Sequence, residues 1–298
     1  MNEFVPFLLH SESKGIYGRF GWNICICQSF ILMRQAQVPP QATYDPVMET
    51  EDKAAILLHK RNSALDTGWH AHSKGQLLYA EEGVTRLYTP TGSFLLPSKH
   101  CAWIPAHMIH MVISSSPNLF LRTLYFKIEP TLTHHFYAQL SVFQVSPLLR
   151  EMIVYTERWA ETTTASNEEL SFLQTLKMIL PDLQGEAFGL QLPASEHPTI
   201  KVCIQYLLEN LSEKISVEET AKKFNLSTRT IARLFQQELN MSFTSYLKIA
   251  RIIKAIEYLS LPNASVSETA YKVGYESVPT FSNNFFEIVG RRPQSFIC

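Results

Sequence analysis

The segment SVEETAKKF at 216–224 returns 49 residues later as SVSETAYKV at 265–273, with Ser, Val, Glu, Thr, Ala and Lys in the same places. Repetition at a constant offset marks one supersecondary unit used twice. Each copy opens with a serine three positions ahead of a glutamate, Ser216 with Glu219 and Ser265 with Glu268. That is the pattern of a capping box, in which the serine covers an orphan helix amide while the glutamate reaches back to the serine's own N–H. Two helix starts are therefore expected, both with the full box.

A short turn and a second capped helix follow each start. In the first copy the turn is FNL, and Ser227 opens STRTIARLFQQEL, whose Ile231, Leu234, Phe235 and Leu239 share one face. In the second copy the turn is GYE, Ser277 is the cap, and Phe281, Phe285 and Phe286 are expected to form the buried stripe. Gly274 suits a turn position of positive φ, and Pro279 lies in the first helical turn, where a missing amide costs little. Two helices joined by a tight turn form either an ordinary helical hairpin or a helix-turn-helix, whose second helix lies in the DNA major groove. Two copies around one amphipathic segment, FTSYLKIARIIKAIEYLSL at 243–261, favour the second plan. As a helix that segment is roughly 28 Å long at ~1.5 Å per residue, near the ~34 Å between successive major-groove turns.

The stretch LSTRTIARLFQQELNMSFTSYLKIARIIKAIEYL, followed by GYESVPTFSNNFFEIVGRRPQSF, resembles the C-terminal domain of the AraC/XylS transcription regulators. Phe281, Phe285, Gly290, Pro293 and Phe296 stand at that family's spacing. The resemblance implies two helix-turn-helix units, at about 216–239 and 265–288, set in adjacent major grooves of promoter DNA. By position it implies Ser227, Thr228, Arg229, Thr230, Ala232 and Arg233 as DNA-binding residues of the first unit, and Ser277, Thr280 and Asn283 of the second. This chain departs from the pattern where Asn283 replaces a frequent arginine and Ile297 follows the last aromatic. Residues 215–254 hold seven Lys and Arg against three Asp and Glu, net +4, whereas 265–298 hold three of each. Neutralising phosphates supplies much of non-specific affinity, so the first unit is expected to grip and the second to discriminate weakly.

The chain has 298 residues, 46% hydrophobic and 18% charged, enough for two ordinary domains. Its net charge of −1 averages unlike halves, −3 over 1–194 and +2 over 195–298. Five cysteines, Cys25, Cys27, Cys101, Cys203 and Cys298, show neither zinc spacing nor a disulfide framework, which fits a reducing cytoplasm. No apolar run reaches the ~18 residues of a membrane span, and FGWNICICQSFILM at 20–33 is broken by polar residues and lacks a cleavage site. Residues 1–33 match nothing in the resemblance, and Met33 offers an alternative start.

From Lys53 to Ile128, short apolar runs such as AAILLH, GQLLYA, SFLLP and CAWIP alternate with Gly, Pro, Ser and Asn, the pattern of a β-sandwich or barrel. Inside it stand His70, His72, Gln76 and Gly83, then Pro105 and His110. These resemble the two motifs of the cupin barrel, with Gln76 where a glutamate is common and His107 where a glycine is common. Alternation puts His70 and His72 on one strand face, able to point inward with Gln76 and His110. Three neutral imidazoles and an amide oxygen could hold a divalent transition metal. The alternative is a metal-free polar pocket for an organic effector, with Trp69, Tyr79, Trp103 and Met108 as candidate lining.

After Pro130, THHFYAQLSVF, SPLLREMIVYTERWA and NEELSFLQTLKMILPDL read as three amphipathic helices, the second with Leu148, Met152, Tyr155 and Trp159 along one stripe. The family resemblance implies a homodimer contact there; packing on the chain's own barrel is the alternative. LQLPASEHP at 190–198 reads as linker. No phosphate loop, nucleophile elbow or catalytic triad is present.

The expected chain is multidomain. An N-terminal extension (1–48) precedes a cupin-like effector-sensing barrel (49–130), a helical segment (131–189) and a linker (190–197). An all-α DNA-binding domain (198–298) follows, with two helix-turn-helix units joined by a long helix. Its expected partners are promoter DNA, a small-molecule effector, a second copy and, for an activator, RNA polymerase. The rival expectations are a metal-dependent cupin enzyme with a helical appendage and a helical adaptor that binds protein.

Overall fold

Strand alternation sorts the N-terminal half of the computed structural model into two antiparallel sheets facing one another. The structure describes residues 55–62, 65–114, 116–160 and 165–297. The expectations for 1–48 and for the alternative start lie outside these residues. The strands are β1 (Ala55–Asn62), β2 (Leu65–Asp66), β3 (Gly75–Glu82), β4 (Thr85–Thr89), β5 (Gly92–Leu96), β6 (His100–Ile104), β7 (Met111–Ser114), β8 (Leu119–Phe126), β9 (Ser141–Val145), β10 (Gln184–Ala187) and β11 (Gln191–Pro193). One sheet runs β1-β8-β3-β6-β9-β10 and the other β11-β5-β4-β7-β2.

The register decides what each face does. Gln76 lies opposite Ile104, and Leu77 opposite Trp103. Gln76, Leu78, Ala80, Ala102 and Ile104 therefore face the other sheet, where Leu78, Leu87, Ile104, Val112 and Leu121 form the interior core. Leu77, Tyr79, Cys101 and Trp103 face outward and are covered by helices. Those helices are α1 (Pro147–Tyr155) and α2 (Asn167–Leu183), which bury Leu149, Ile153, Leu173, Leu176 and Leu180 against the sheet. Gly75 makes room for this layer, since a Cβ there would stand 2.5 Å from the Trp103 ring.

Two segments differ from what their sequence predicts. THHFYAQLSVF is not an amphipathic helix: it is a single 3-10 turn, His135–Ala138, followed by β9, whose Val142 and Phe143 pair with Ala102 and Cys101. LQLPASEHP is only partly linker, because Gln191–Pro193 adds to the edge of β5 through main-chain hydrogen bonds. Both segments are captured by long-range pairing, which local periodicity does not report.

The helical domain comprises α3 (Pro198–Glu209), α4 (Val217–Lys223), α5 (Thr228–Leu239), α6 (Phe243–Leu259), α7 (Val266–Lys272) and α8 (Val278–Val289). Ser216, Ser227, Ser242, Ser265 and Ser277 cap α4 to α8, each accepting from the backbone N–H three residues on. The full capping box exists only at α4; Glu268 turns instead to Lys272, 2.6 Å away. Phe281 and Phe285 are buried as expected, but Phe286 is 47% exposed. It lies five residues beyond Phe281, some 140° around the helix from it. The rod α6 buries ten of its 17 residues, including Tyr246, Ala250, Ile253 and Ile256, because both hairpins and the barrel pack around it. Gly274 marks the tightest point: φ is +81°, and a Cβ would stand 2.3 Å from the Leu211 carbonyl oxygen.

Candidate sensing site and nucleic-acid interface

The loop after β2 and the start of β7 bring His70 and His110 together as an isolated antiparallel bridge, with N–H to carbonyl distances of 2.9 Å in both directions. Their rings lie 4.3 Å apart, and His72 is 5.1 Å from His110. Each imidazole turns Nδ1 to a main-chain carbonyl: His70 to Gly68 at 3.0 Å, His72 to Lys74 at 2.6 Å and His110 to Met108 at 2.9 Å. A neutral ring that donates through Nδ1 has only a lone pair at Nε2. The Nε2 atoms of His72 and His110 both lie 3.1 Å from the side-chain amide of Gln76. With its NH2 turned inward, that amide donates to both rings; with its oxygen inward, it joins them as a fourth donor to a shared cation.

Burial favours the neutral rings of His72 and His110. It lowers the pKa of His72 and, with His70 nearby, pushes His110 down to about 3. His70, His72 and His110 offer ligand atoms all within 4.8 Å of one another. Neutral imidazoles, each with its second nitrogen hydrogen-bonded to the main chain, fit a borderline divalent ion. His107 adopts the left-handed conformation at φ 64°, which accounts for the glycine common at that motif position. Its N–H bonds the His72 carbonyl at 2.8 Å, tying the two motifs together.

Of the sequence-predicted residues, His70, His72, Gln76 and His110 converge. Trp103 does not: it points to the opposite face of the sheet, donating from Nε1 to the Tyr137 carbonyl at 3.3 Å among the residues beneath α1 and α2. Tyr79 lies on that same outer face. Both faces read as apolar, so composition carries no parity, and only the register with β3 assigns it.

On the helical domain, Ser227, Thr228, Arg229, Ala232 and Arg233 are exposed and Thr230 is half-buried. Thr280 and Asn283 are exposed on α8, with Ser277 half-buried at its cap. They stand opposite the buried Ile231 and Phe235 of α5 and Phe281 and Phe285 of α8.

Sequence reasoning missed how the two halves meet. Val84, Leu95, Leu190 and Leu192 of the barrel join the apolar core built around the rod. Beside them, Arg86 on β4 places Nε 2.6 Å from Oε1 of Glu257 on α6, and Lys254 lies 3.0 Å from the same carboxylate. Burial opposes both charges of the Arg86–Glu257 pair. The carboxylate nonetheless holds the guanidinium above its ordinary pKa, and Arg86, then Lys254, holds Glu257 below its own. Arg291, after α8, also reaches Gln144 on β9. Arg86 lies opposite Ile113 on β7, the strand that begins immediately after His110. One strand pair thus separates the histidine cluster from the rod.

The AraC-like ligand binding domain family matches residues 54–235, and the Helix-turn-helix domain family matches 220–297. The chain belongs to the AraC family and is a DNA-binding transcription regulator with a ligand-binding domain. It is 26% identical over 254 residues to the HTH-type transcriptional regulator NimR of Escherichia coli K12, covering 85% of this chain and 90% of that protein. With the HTH-type transcriptional activator RhaS of Citrobacter koseri it shares 28% identity over 125 residues, 42% of this chain and 43% of the relative. Among solved structures, the C-terminal domain of AraT, a response regulator from Geobacillus stearothermophilus, aligns at 31% identity over 33% of this chain and 83% of its own, with TM-score 0.32. ToxT from Vibrio cholerae aligns over 82% of this chain and 98% of its own at 11% identity, with TM-score 0.34.

Proposed function

We propose that the chain is a one-component cytoplasmic regulator and not an enzyme: a small molecule met by the His70–His72–Gln76–His110 cluster alters how the barrel holds α6, and with it how α5 and α8 meet a promoter. The observation that carries this reading is the rod itself, which bears both helix-turn-helix units and is gripped by the barrel through Arg86 and Glu257. An effector acts only through different affinities for two arrangements, and this interface supplies a contact that two arrangements would not share. Arg229, Thr230, Ala232 and Arg233 on α5, and Thr280 and Asn283 on α8, are the proposed DNA-facing residues. The chain works as a homodimer through α1 and α2, where Leu148, Tyr155, Leu170 and Met178 stand exposed. As an activator it would also meet RNA polymerase. No helix of the described residues is long and apolar enough to cross a membrane.

A second reading, that the cluster holds a divalent transition metal, is favoured by the three Nδ1 contacts to carbonyls, which leave the lone pair of each ring on Nε2, those of His72 and His110 beside the Gln76 amide. Elemental analysis of the purified chain decides it: stoichiometric metal lost in His72→Ala supports the reading, and none in the wild type removes it. The regulator reading is tested by a mobility shift with the gene's own upstream region against a scrambled duplex. Selective retardation that is lost in Arg229→Ala/Arg233→Ala is expected; a folded double variant that binds as the wild type does would refute the residue assignment.

A further inference from the structure

The two reading helices align residue for residue with a shift of 50. Ser227 and Ser277 cap their starts, and Asn240 (φ 54°) and Gly290 (φ 73°) end them in the left-handed conformation. In this frame Ile231 matches Phe281 and Phe235 matches Phe285, all buried. The outward faces differ: Pro279 stands where the first helix has Arg229, and Asn283 where it has Arg233. The second helix therefore has no cation of its own on the face meant for DNA.

A cation reaches that face from beyond the helix. The Arg292 guanidinium lies 4.6 Å from the centre of the Phe286 ring, with Nη1 3.4 Å from Asn283 Oδ1 and 3.5 Å from the Ser282 carbonyl. All three contacts are neutral, so the positive charge is held in place without being cancelled. In the first unit the matching position is Ser242, whose side chain caps α6; Arg292 makes no side-chain cap to the Pro293–Phe296 turn and is free to reach back. Its neighbour Arg291 goes the other way, to Gln144 of the barrel. The exposure of Phe286 has a physical reason in this arrangement, since a ring face both desolvates and orients a planar guanidinium.

We propose that Arg292 is the DNA-contacting cation of the second unit, occupying the place that Arg233 holds in the first, with Phe286 as its positioning residue. This rests on the reading that the outward faces of α5 and α8 meet DNA. A guanidinium ordered before binding loses less side-chain entropy on contact, and its fork suits either a guanine edge or a phosphate.

The test uses the full chain, a duplex recovered from a random pool by the wild type, and titrations over a salt series. Arg292→Ala is expected to weaken binding on the order of tenfold and to lower the salt slope by about one. Arg292→Lys restores the slope but only part of the affinity, and Phe286→Ala gives a smaller loss in the same direction. Melting followed by circular dichroism checks that each variant is folded. If Arg233→Ala weakens binding while Arg292→Ala matches the wild type in affinity and slope, the proposal is overturned and the reading beneath it stands. If neither substitution changes binding, that reading falls and the proposal with it.

Discussion

The two helix-turn-helix units share a backbone plan but differ on their outer faces. The first carries two arginines on its reading helix, a reciprocal capping box and Asn225 at its turn. The second replaces both arginines, keeps half of the box, inserts Glu276 in its turn and spends Gly274 and Arg291 on contacts with the rest of the molecule. A duplicated hairpin needs only its caps and buried stripe to keep its shape. Its outer face is then free to diverge, one copy keeping its arginines and the other losing them.

The largest difference is expected when the two outer faces are stripped in turn. Arg229→Ala/Arg233→Ala should weaken binding to the gene's upstream region by roughly ten- to a hundred-fold, and Thr280→Ala/Asn283→Ala by much less, measured by mobility shift at fixed salt. Equal losses would mean that both faces contribute alike to binding. Next come the turns, where Asn225 (φ 54°) and Gly274 (φ 81°) occupy matching left-handed positions. Gly274→Ala should cost about 2–4 kcal/mol, because backbone strain is joined by a clash with the Leu211 carbonyl. Asn225→Ala should cost only about 1 kcal/mol. Thermal unfolding of the full chain separates the two.

The rod between the units gives a smaller effect with a pH signature. Glu257→Gln should destabilise docking of the barrel on α6 by about 1–2 kcal/mol at neutral pH, less than for a fully buried pair because both partners keep some exposure. Glu257 titrates below its ordinary value in the folded chain. Its contribution is therefore complete above the unfolded value of ~4.3 and is lost as pH falls through the folded one. The gap in melting temperature between wild type and variant should narrow as pH falls below ~4.3. Smallest of all, Glu219→Ala should cost about 0.5–1 kcal/mol of local stability. Glu268→Ala should cost only a few tenths, since Glu268 makes an exposed pair with Lys272 instead of closing a box. Amide hydrogen exchange at the starts of α4 and α7 reads the difference.

How much of this was legible follows from the range of the forces involved. Caps, turns and the Ile231–Phe235 and Phe281–Phe285 stripes are local, and the bounds of α4, α5, α7 and α8 follow directly from them. The meeting of His70, His72, Gln76 and His110 was readable because two short motifs carry it. What escaped depends on pairing between distant segments: β9 inside a stretch with helical composition, β11 inside the linker, the outward parity of Trp103, and the Arg86–Glu257 contact, which no local pattern announces. Phe286 escaped for another reason. Aromatic residues are presumed buried, and its exposure becomes intelligible only with Arg292 lying across it.

Because one rod carries both units, neither can drift along the duplex without the other. If both reading faces meet one duplex, as proposed, the half-sites of a target must keep a set rotational phase. Shifting one of them by half a helical repeat, about five base pairs, would leave one unit facing the far side of the DNA, so that the paired contact would be lost by spacing alone with every contacted base intact.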